Sequence, residues 1–600
     1  SKKASKTYVR ETAWKVIDAA SSDLLNNKDF YGNNAGTTVK MVIKTHIDAK
    51  KVSIETLRAH GHLVENDKKT ETDIKIKNET TVTTTKADNQ GTWDVDKKVT
   101  PPPTTTDSPV PSIKDPVKKV SDSDDLNWDA TVKQDGEKTP GSHNRVTDVT
   151  NQWLYTLTQE IPAHTVELFH YKSFTITDAV DSCLSYDVKD IAIKAGDKDY
   201  TDKFDVTKGE DNSITLTAKA DVLTSDEFYG GNAGNKIVVS FPVKISADAE
   251  TLKDENLGHL EIDGKKLAHL QKVSDLQKLS GFTDLVKSKD NEYVYAFLNQ
   301  AKTHIDSQIK YEGQTGVKDR TTDKVQTAVE TADPTIKKES SKYEWQVGDK
   351  VDYTINVGDA NSNSIADNVV VTDESLPKAM LPDKDSITIS STFDKEKSGA
   401  PEDRDISKDA KIEYTEKGFV ITIPKLYRGE VATIKLTCTA KEKSTYDSIT
   451  DQWADCLEKA NADKKLTCVN GEVIENRAFV TATLMLKDKD TPPDDLERVW
   501  VNTPHLNIKK SVEKKEYKVG ETVKYTLDVT NVHEGTLARD IVITDQLQTP
   551  GETIVEGTIR LKDETGAVYD LGKKAGKDAE KPYLETQDDT SFKITTGMNL

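Results

Sequence analysis

Apolar and polar residues alternate singly along most of the chain, in short runs rich in Val, Ile, Thr and Tyr that Gly, Asn and Asp separate. "WLYTLT" at 153–158, "VVSFPVKI" at 238–245, "VDYTINV" at 351–357 and "VATIKLTCTA" at 431–440 are examples. In a strand alternate residues share a face, so such runs predict strands with one buried and one solvated side. Many short strands punctuated by turn residues predict a mainly β chain of Ig-like antiparallel sandwiches. Helical spacing is confined to two insertions. One is 247–288, and the other is "YDSITDQWADCLEKA" at 446–460, where Ile449, Trp453 and Cys456 fall near one helical face.

The pattern repeats. "DFYGNNAGTTVKMVIKTHI" at 29–47 returns as "EFYGGNAGNKIVVSFPVKI" at 227–245. "KKESSKYEWQVGDKVDYTINV" from Lys337 returns as "KKSVEKKEYKVGETVKYTLDV" from Lys509, and the steps from Lys338 to Tyr353 to Asp373 equal those from Lys510 to Tyr525 to Asp545. The segment from 117 follows the same plan with an insertion, through Tyr155 to Asp178. Repetition at this scale predicts tandem units. The boundaries expected are the C-terminal half of a sandwich at 1–98, a Pro/Thr-rich linker at 99–116, complete sandwiches at 117–330 and 331–490, a second linker at 491–504, and an incomplete sandwich at 505–600. The sequence reads as a slice of a longer protein.

Three polar residue types recur on apolar faces. Lys119 lies two positions after Val117, Lys338 after Ile336 and Lys510 after Ile508, so these lysines are expected to face inward while Lys118, Lys337 and Lys509 face water. Asp178 follows Phe174 and Ile176, Asp373 follows Val369 and Val371, and Asp545 follows Ile541 and Ile543. Asn78, Asn299 and Asn476 share the parity of Ile76, Phe297 and Ile474. A buried ion pair accounts for the lysine and the acid. A second reading uses all three groups: burial favours the neutral amine and the neutral acid, so the amine is a nucleophile and the acid polarises the asparagine carbonyl. The product is a Lys–Asn isopeptide bond with loss of ammonia.

The "PTIKK" and "LNIKK" openings, the acid motifs "TITDAV", "VVTDESLP" and "VITDQL", and the closing "LNQAKT" and "ENRAFV" resemble the intramolecular-isopeptide domains of Gram-positive surface adhesins and pilins. The resemblance covers most of the chain outside the insertions. It implies collagen-adhesin-type sandwiches in which a first-strand lysine joins a last-strand asparagine with help from an aspartate on a central strand. Carried over, the residues are Lys119, Asp178 and Asn299; Lys338, Asp373 and Asn476; Lys510 with Asp545; and Asn78 alone in the first unit. The function implied is a structural, adhesive stalk segment of a secreted cell-surface or cell-wall protein, the alternative being a module that binds a host protein or glycan through its insertions.

Composition narrows the partners. With 103 acidic against 83 basic residues and a formal charge of -20, no nucleic-acid partner is expected. No apolar run reaches the length of a membrane span, so no insertion into a membrane is expected from this segment. The partners expected are neighbouring domains of the same chain and a host protein or glycan, with Trp153, Trp453 and Trp500 as candidate aromatic contacts. The sequence lacks GxSxG, HExxH and P-loop motifs, so no activity beyond single-turnover self-cross-linking is expected. Four cysteines exclude a disulfide-dense scaffold. Cys183 and Cys438 lie in strand-like segments as structural thiols, and Cys456 with Cys468 is a candidate small disulfide. No CxxC pair or histidine cluster has zinc-ligand spacing, and "SDSDDLNWD" at 121–129 lacks the calcium-loop pattern, so neither a metal nor a cofactor is expected.

Overall fold

The computed structural model describes residues 44–80, 82–87, 93–99, 101–122, 143–163, 167–257, 260–262, 264–278, 293–376, 381–440, 471–487, 490–571, 581–596 and 600. The expected Cys456–Cys468 disulfide, Trp453 and the helix at 446–460 lie outside them. Within them the chain is built of strands in tandem sandwich-type units.

Alternation works as expected where both faces are defined. Residues Trp153–Ile161 alternate buried and half-buried throughout, and this strand pairs with Asn235–Ile245 on one side and Val117–Asp122 on the other. The facing sheet of the second unit carries Phe204–Lys208, Ser213–Ala218, Ser173–Ala179, Ala301–Tyr311 and Gln314–Thr321, in that order. Phe174, Ile176, Trp153, Tyr155, Phe241 and Ile305 fill the space between the sheets. In the third unit a four-stranded sheet (Pro334–Ser340, Lys350–Asp359, Val431–Thr439, Thr388–Thr392) faces a six-stranded one. The latter is centred on Gly471–Thr481, Ala366–Leu376 and Gly418–Leu426, and the core between the two sheets contains Ile355, Val357, Val369, Val371, Ile421 and Ile434. The fourth unit forms separate small sheets, among them Leu506–Val512 with Tyr525–Asn531, and Val542–Gln546 with Ser591–Thr595 and Tyr583–Gln587.

Several boundaries differ from those expected. Asp494–Asn502, assigned to a linker because prolines and acids precede it, is a strand paired along its whole length with Gly471–Thr481. Its buried "VWVN" end supplies Val499, Trp500 and Val501 to the third unit. Thr104–Pro109, within the expected Pro/Thr-rich linker, pairs with Glu71–Asn78. Ile54, Leu57, Ile74, Val110 and Ile113 join the core of the second unit, so the described part of the first region packs on its neighbour. The sheets are not wholly antiparallel either: Val325–Glu330 pairs in parallel with His143–Val146, and Glu344–Gln346 with Trp500–Asn502. Helices in the described part of the first insertion are short, at Ala249–Lys253 and Val273–Leu276.

Candidate functional site

In both complete sandwiches a lysine from one sheet meets a carboxylate from the facing sheet inside the core. In the third unit Lys338 on Pro334–Ser340 donates from Nζ to Asp373 on Ala366–Leu376, and their side chains are 0% and 1% exposed. The acid strand pairs with the asparagine strand so that Asp373 lies opposite Ala478 and Ser375 opposite Asn476. Parity therefore points Asn476 to the same side as Asp373, one diagonal step away. The Asn476 side chain lies against the Asp373 carboxyl and the Tyr353 hydroxyl, yet neither of its amide atoms makes a well-aligned hydrogen bond. A wholly buried amide in that condition has a desolvation cost that its imperfectly aligned contacts offset only in part.

Burial dominates the electrostatics. It pushes the Lys338 ammonium below its ordinary range and the Asp373 carboxyl above its own, in each case against the attraction of the partner. Both shifts favour an uncharged amine beside a protonated acid. Tyr353 stands over the lysine, with Nζ 5.0 Å from its ring centre. Close packing extends behind the acid. A Cβ built on Gly418 would come within 2.0 Å of the Asp373 carbonyl oxygen, so only glycine allows the neighbouring strand to run so near.

The second unit repeats the buried lysine–acid pair, with one correction to the lysine. The lysine in the core is Lys118, which donates from Nζ to Asp178; their side chains are 0% and 5% exposed. Lys119 is exposed, as is Val117, while Lys118 and Val120 point inward. Valines on both parities of "VKKV" left the face undecided, and the register settles it: Val120 lies opposite Tyr155, two positions after Lys118, as Ser340 lies opposite Tyr353, two positions after Lys338. Burial pushes Lys118 below its ordinary range, and its Nζ sits 4.9 Å from the Tyr155 ring centre. Asp178 lies opposite Ala301 at the start of Ala301–Tyr311, whereas the buried Asn299 ends the preceding strand, Tyr293–Asn299, which belongs to another sheet and pairs there with Val325. Asn299 donates from Nδ2 to the Ala179 carbonyl at 3.5 Å, and its Oδ1 makes no hydrogen bond.

The remaining expected residues fare differently. Lys510 donates to both oxygens of Asp545, at 2.8 and 2.7 Å, and lies 4.6 Å from the Tyr525 ring centre. Their side chains are 38% and 14% exposed, however, because among the described residues the acid strand is paired on one edge only. Asn78 is exposed at the end of its strand and, among the described residues, joins no buried lysine and acid. The asparagine strand of the third unit is also not the last, since Asp494–Asn502 follows it in the same sheet. Trp153 and Trp500 are buried and offer no surface platform to a ligand. The tyrosines were visible in the sequence only as spacing markers; their place against each lysine follows from the cross-strand register. Cys438 is a buried free thiol whose pKa burial raises, and burial pushes the Cys183 thiol up to about 12.

No family model and no curated protein matches the chain. Similar solved structures do exist. They are domains of Gram-positive adhesins and pilins. The C-terminal domain of the antigen I/II polypeptide BspA of Streptococcus agalactiae is 12% identical, with 65% of this chain and 100% of that one covered and a TM-score of 0.30. Domains D2 and D3 of the major pilin SpaD of Corynebacterium diphtheriae are 11% identical, covering 62% and 92%, at a TM-score of 0.22. The major pilin SpaA of the same organism, described as pointing to a modular pilus assembly with stabilizing isopeptide bonds, is 12% identical, covering 68% and 69%, at 0.22. No helix among the described residues is long and apolar enough to cross a membrane.

Proposed function

We propose that this chain is a load-bearing stalk segment of a cell-surface adhesive protein, whose complete units cross-link themselves through Lys338 to Asn476 and Lys118 to Asn299. The observation that carries this reading is the repeated buried constellation, above all an Asn476 amide held in a dry core beside Lys338 and Asp373 without a well-aligned hydrogen bond. An ion pair alone gives that amide no role.

The chemistry balances within each unit. The neutral Nζ of Lys338 attacks Cγ of Asn476 while the protonated Asp373 hydrogen-bonds the amide oxygen, and the C–N bond to the amide nitrogen breaks. A proton passes from the lysine nitrogen through the carboxyl to the leaving group, which departs as ammonia, and Asp373 ends as it began. The apolar walls supply the uncharged forms that water would not. In the fourth unit the Lys510 and Asp545 side chains are 38% and 14% exposed, so the dry site the reaction needs is lacking and no bond is expected.

Intact mass of the denatured full chain tests the reading. The expected mass is lower than the sequence mass by one ammonia for each of the two complete units, and Asp373→Ala restores the third unit's ammonia alone. A mass equal to that of the sequence overturns the proposal.

A further inference from the structure

Three side chains outside the lysine sites converge beyond the acid strand of the second unit. Asp181 and Cys183 lie in the turn that follows Ser173–Ala179, and His269 reaches them from the insertion, just before the strand Leu270–Lys272. One ligand-type atom from each lies within 4.8 Å of the others. Cys183 is 2% exposed, His269 1%, and the Asp181 side chain 5%.

Their orientation is specific. Asp181 Oδ1 accepts the Cys183 backbone N–H at 2.8 Å, which fixes the turn and leaves Oδ2 facing Nε2 of His269 at 3.2 Å. The other ring nitrogen, Nδ1, is 2.6 Å from the carbonyl oxygen of Ala296. A carbonyl only accepts, so Nδ1 carries the hydrogen, and in the neutral ring Nε2 holds a lone pair aimed at the cluster. Histidines that bind metals are typically oriented by such a bond from the second nitrogen to a backbone carbonyl. Two tetrahedral zinc ligands with bonds of about 2.0 Å stand about 3.3 Å apart, close to the separation of Nε2 and Oδ2. The imidazole is also fixed by stacking on Phe297, with ring centres 4.5 Å apart.

We propose that Asp181, Cys183 and His269 form a structural site for a zinc-class divalent cation. The donor set supplies three of the four ligands such an ion takes, one imidazole nitrogen, one carboxylate oxygen and one sulfur, with a water to complete the tetrahedron. Binding exchanges the thiol proton, released to water, for a metal–sulfur bond. Thiolate and carboxylate then balance the two positive charges, so the buried site is neutral. The ion ties the turn after the acid strand to the insertion, next to the strand Tyr293–Asn299 that pairs with Leu270–Lys272. The site is independent of the isopeptide reading.

The full chain, produced in minimal medium supplied with Co²⁺ in place of Zn²⁺, provides the test. A single bound equivalent is expected after desalting, with a thiolate-to-cobalt charge-transfer band in the near ultraviolet. Cys183→Ser and His269→Gln are each expected to remove the band and the equivalent, and His269→Gln keeps the test valid if the serine variant fails to fold. A wild-type chain that carries no band, or a band that persists in His269→Gln, overturns the site and leaves a buried His269–Asp181 pair. Metal retained equally by all three chains marks adsorption to the acidic surface and also overturns it.

Discussion

Lys118 and Lys119 are neighbours in sequence with opposite environments. One is sealed between sheets against Asp178 and the Tyr155 ring; the other is exposed. Only a desolvated amine is pushed toward its neutral, nucleophilic form. Lys118→Ala is therefore expected to restore one ammonia to the intact mass, and Lys119→Ala to leave the mass deficit of the parent chain unchanged; the reverse result would return the site to the sequence expectation. The burial of Asp178, Asp373, Asn299 and Asn476 was legible because each follows an Ile, Val or Phe alternation, as Asp373 does after Val369 and Val371, whereas Asn78 follows Ile76 with the same parity and is exposed at its strand's end. The second-unit lysine was not legible, since Val117 and Val120 fall on opposite faces and parity has no local answer there. The Asp181, Cys183 and His269 cluster was illegible for another reason: His269 reaches the turn across an insertion, with no fixed spacing to betray it.

At the scale of the element, the strand Asp494–Asn502 changes how force would pass through the third unit. A bond from Lys338 to Asn476 closes a loop over most of the unit, which by analogy with a long disulfide loop removes on the order of 5 kcal/mol of unfolded-state entropy. Residues inside the loop cannot extend under load. Residues 477–502 lie beyond it, held by the pairing of Asp494–Asn502 with Gly471–Thr481 and by the parallel contact with Glu344–Gln346. Pulling on the chain ends is expected to peel this segment alone, releasing at most on the order of 90 Å at ~3.5 Å per residue. In Asp373→Ala the whole unit is expected to extend, giving a several-fold longer step in single-molecule force traces. Equal steps in the two chains would count against a closed loop. The parallel contact was beyond sequence reading because a three-residue strand has no periodicity to detect, and "DDLERVWVN" was hidden by the prolines before it.

At the scale of the molecule, the second and third units meet through a carboxyl pair. Asp148 forms a parallel bridge with Ile365, whose N–H donates to the Thr147 carbonyl at 2.8 Å, and Arg428 donates to the Thr147 hydroxyl. Lys425 pairs with Asp148 and stands 3.2 Å from Asp367. Burial, with the nearby Asp148 carboxyl, raises Asp367 to about 8, while hydrogen bonds from Asp367 and Lys425 hold Asp148 low against its own burial. The two acids thus share one proton beside one lysine. A carboxyl whose folded pKa is raised binds its proton more tightly in the folded state, so its contribution is complete below the ordinary carboxylate range and declines as the pH climbs. It is lost once the pH passes about 8. Above that point two carboxylates face Lys425, with Arg428 the next cation. The thermal midpoint of the unit pair is expected to fall as the pH rises from about 4 to about 8 and to level off above that, with a rise in the radius of gyration by X-ray scattering over the same range as the units separate. Asp367→Asn keeps a donor toward Asp148 without a titrating proton, and is expected to flatten both curves. Were the asparagine chain to follow the same pH dependence as the parent, the shared proton would not be what holds the units together; its flat response would make this junction a reversible, pH-dependent joint between the two units.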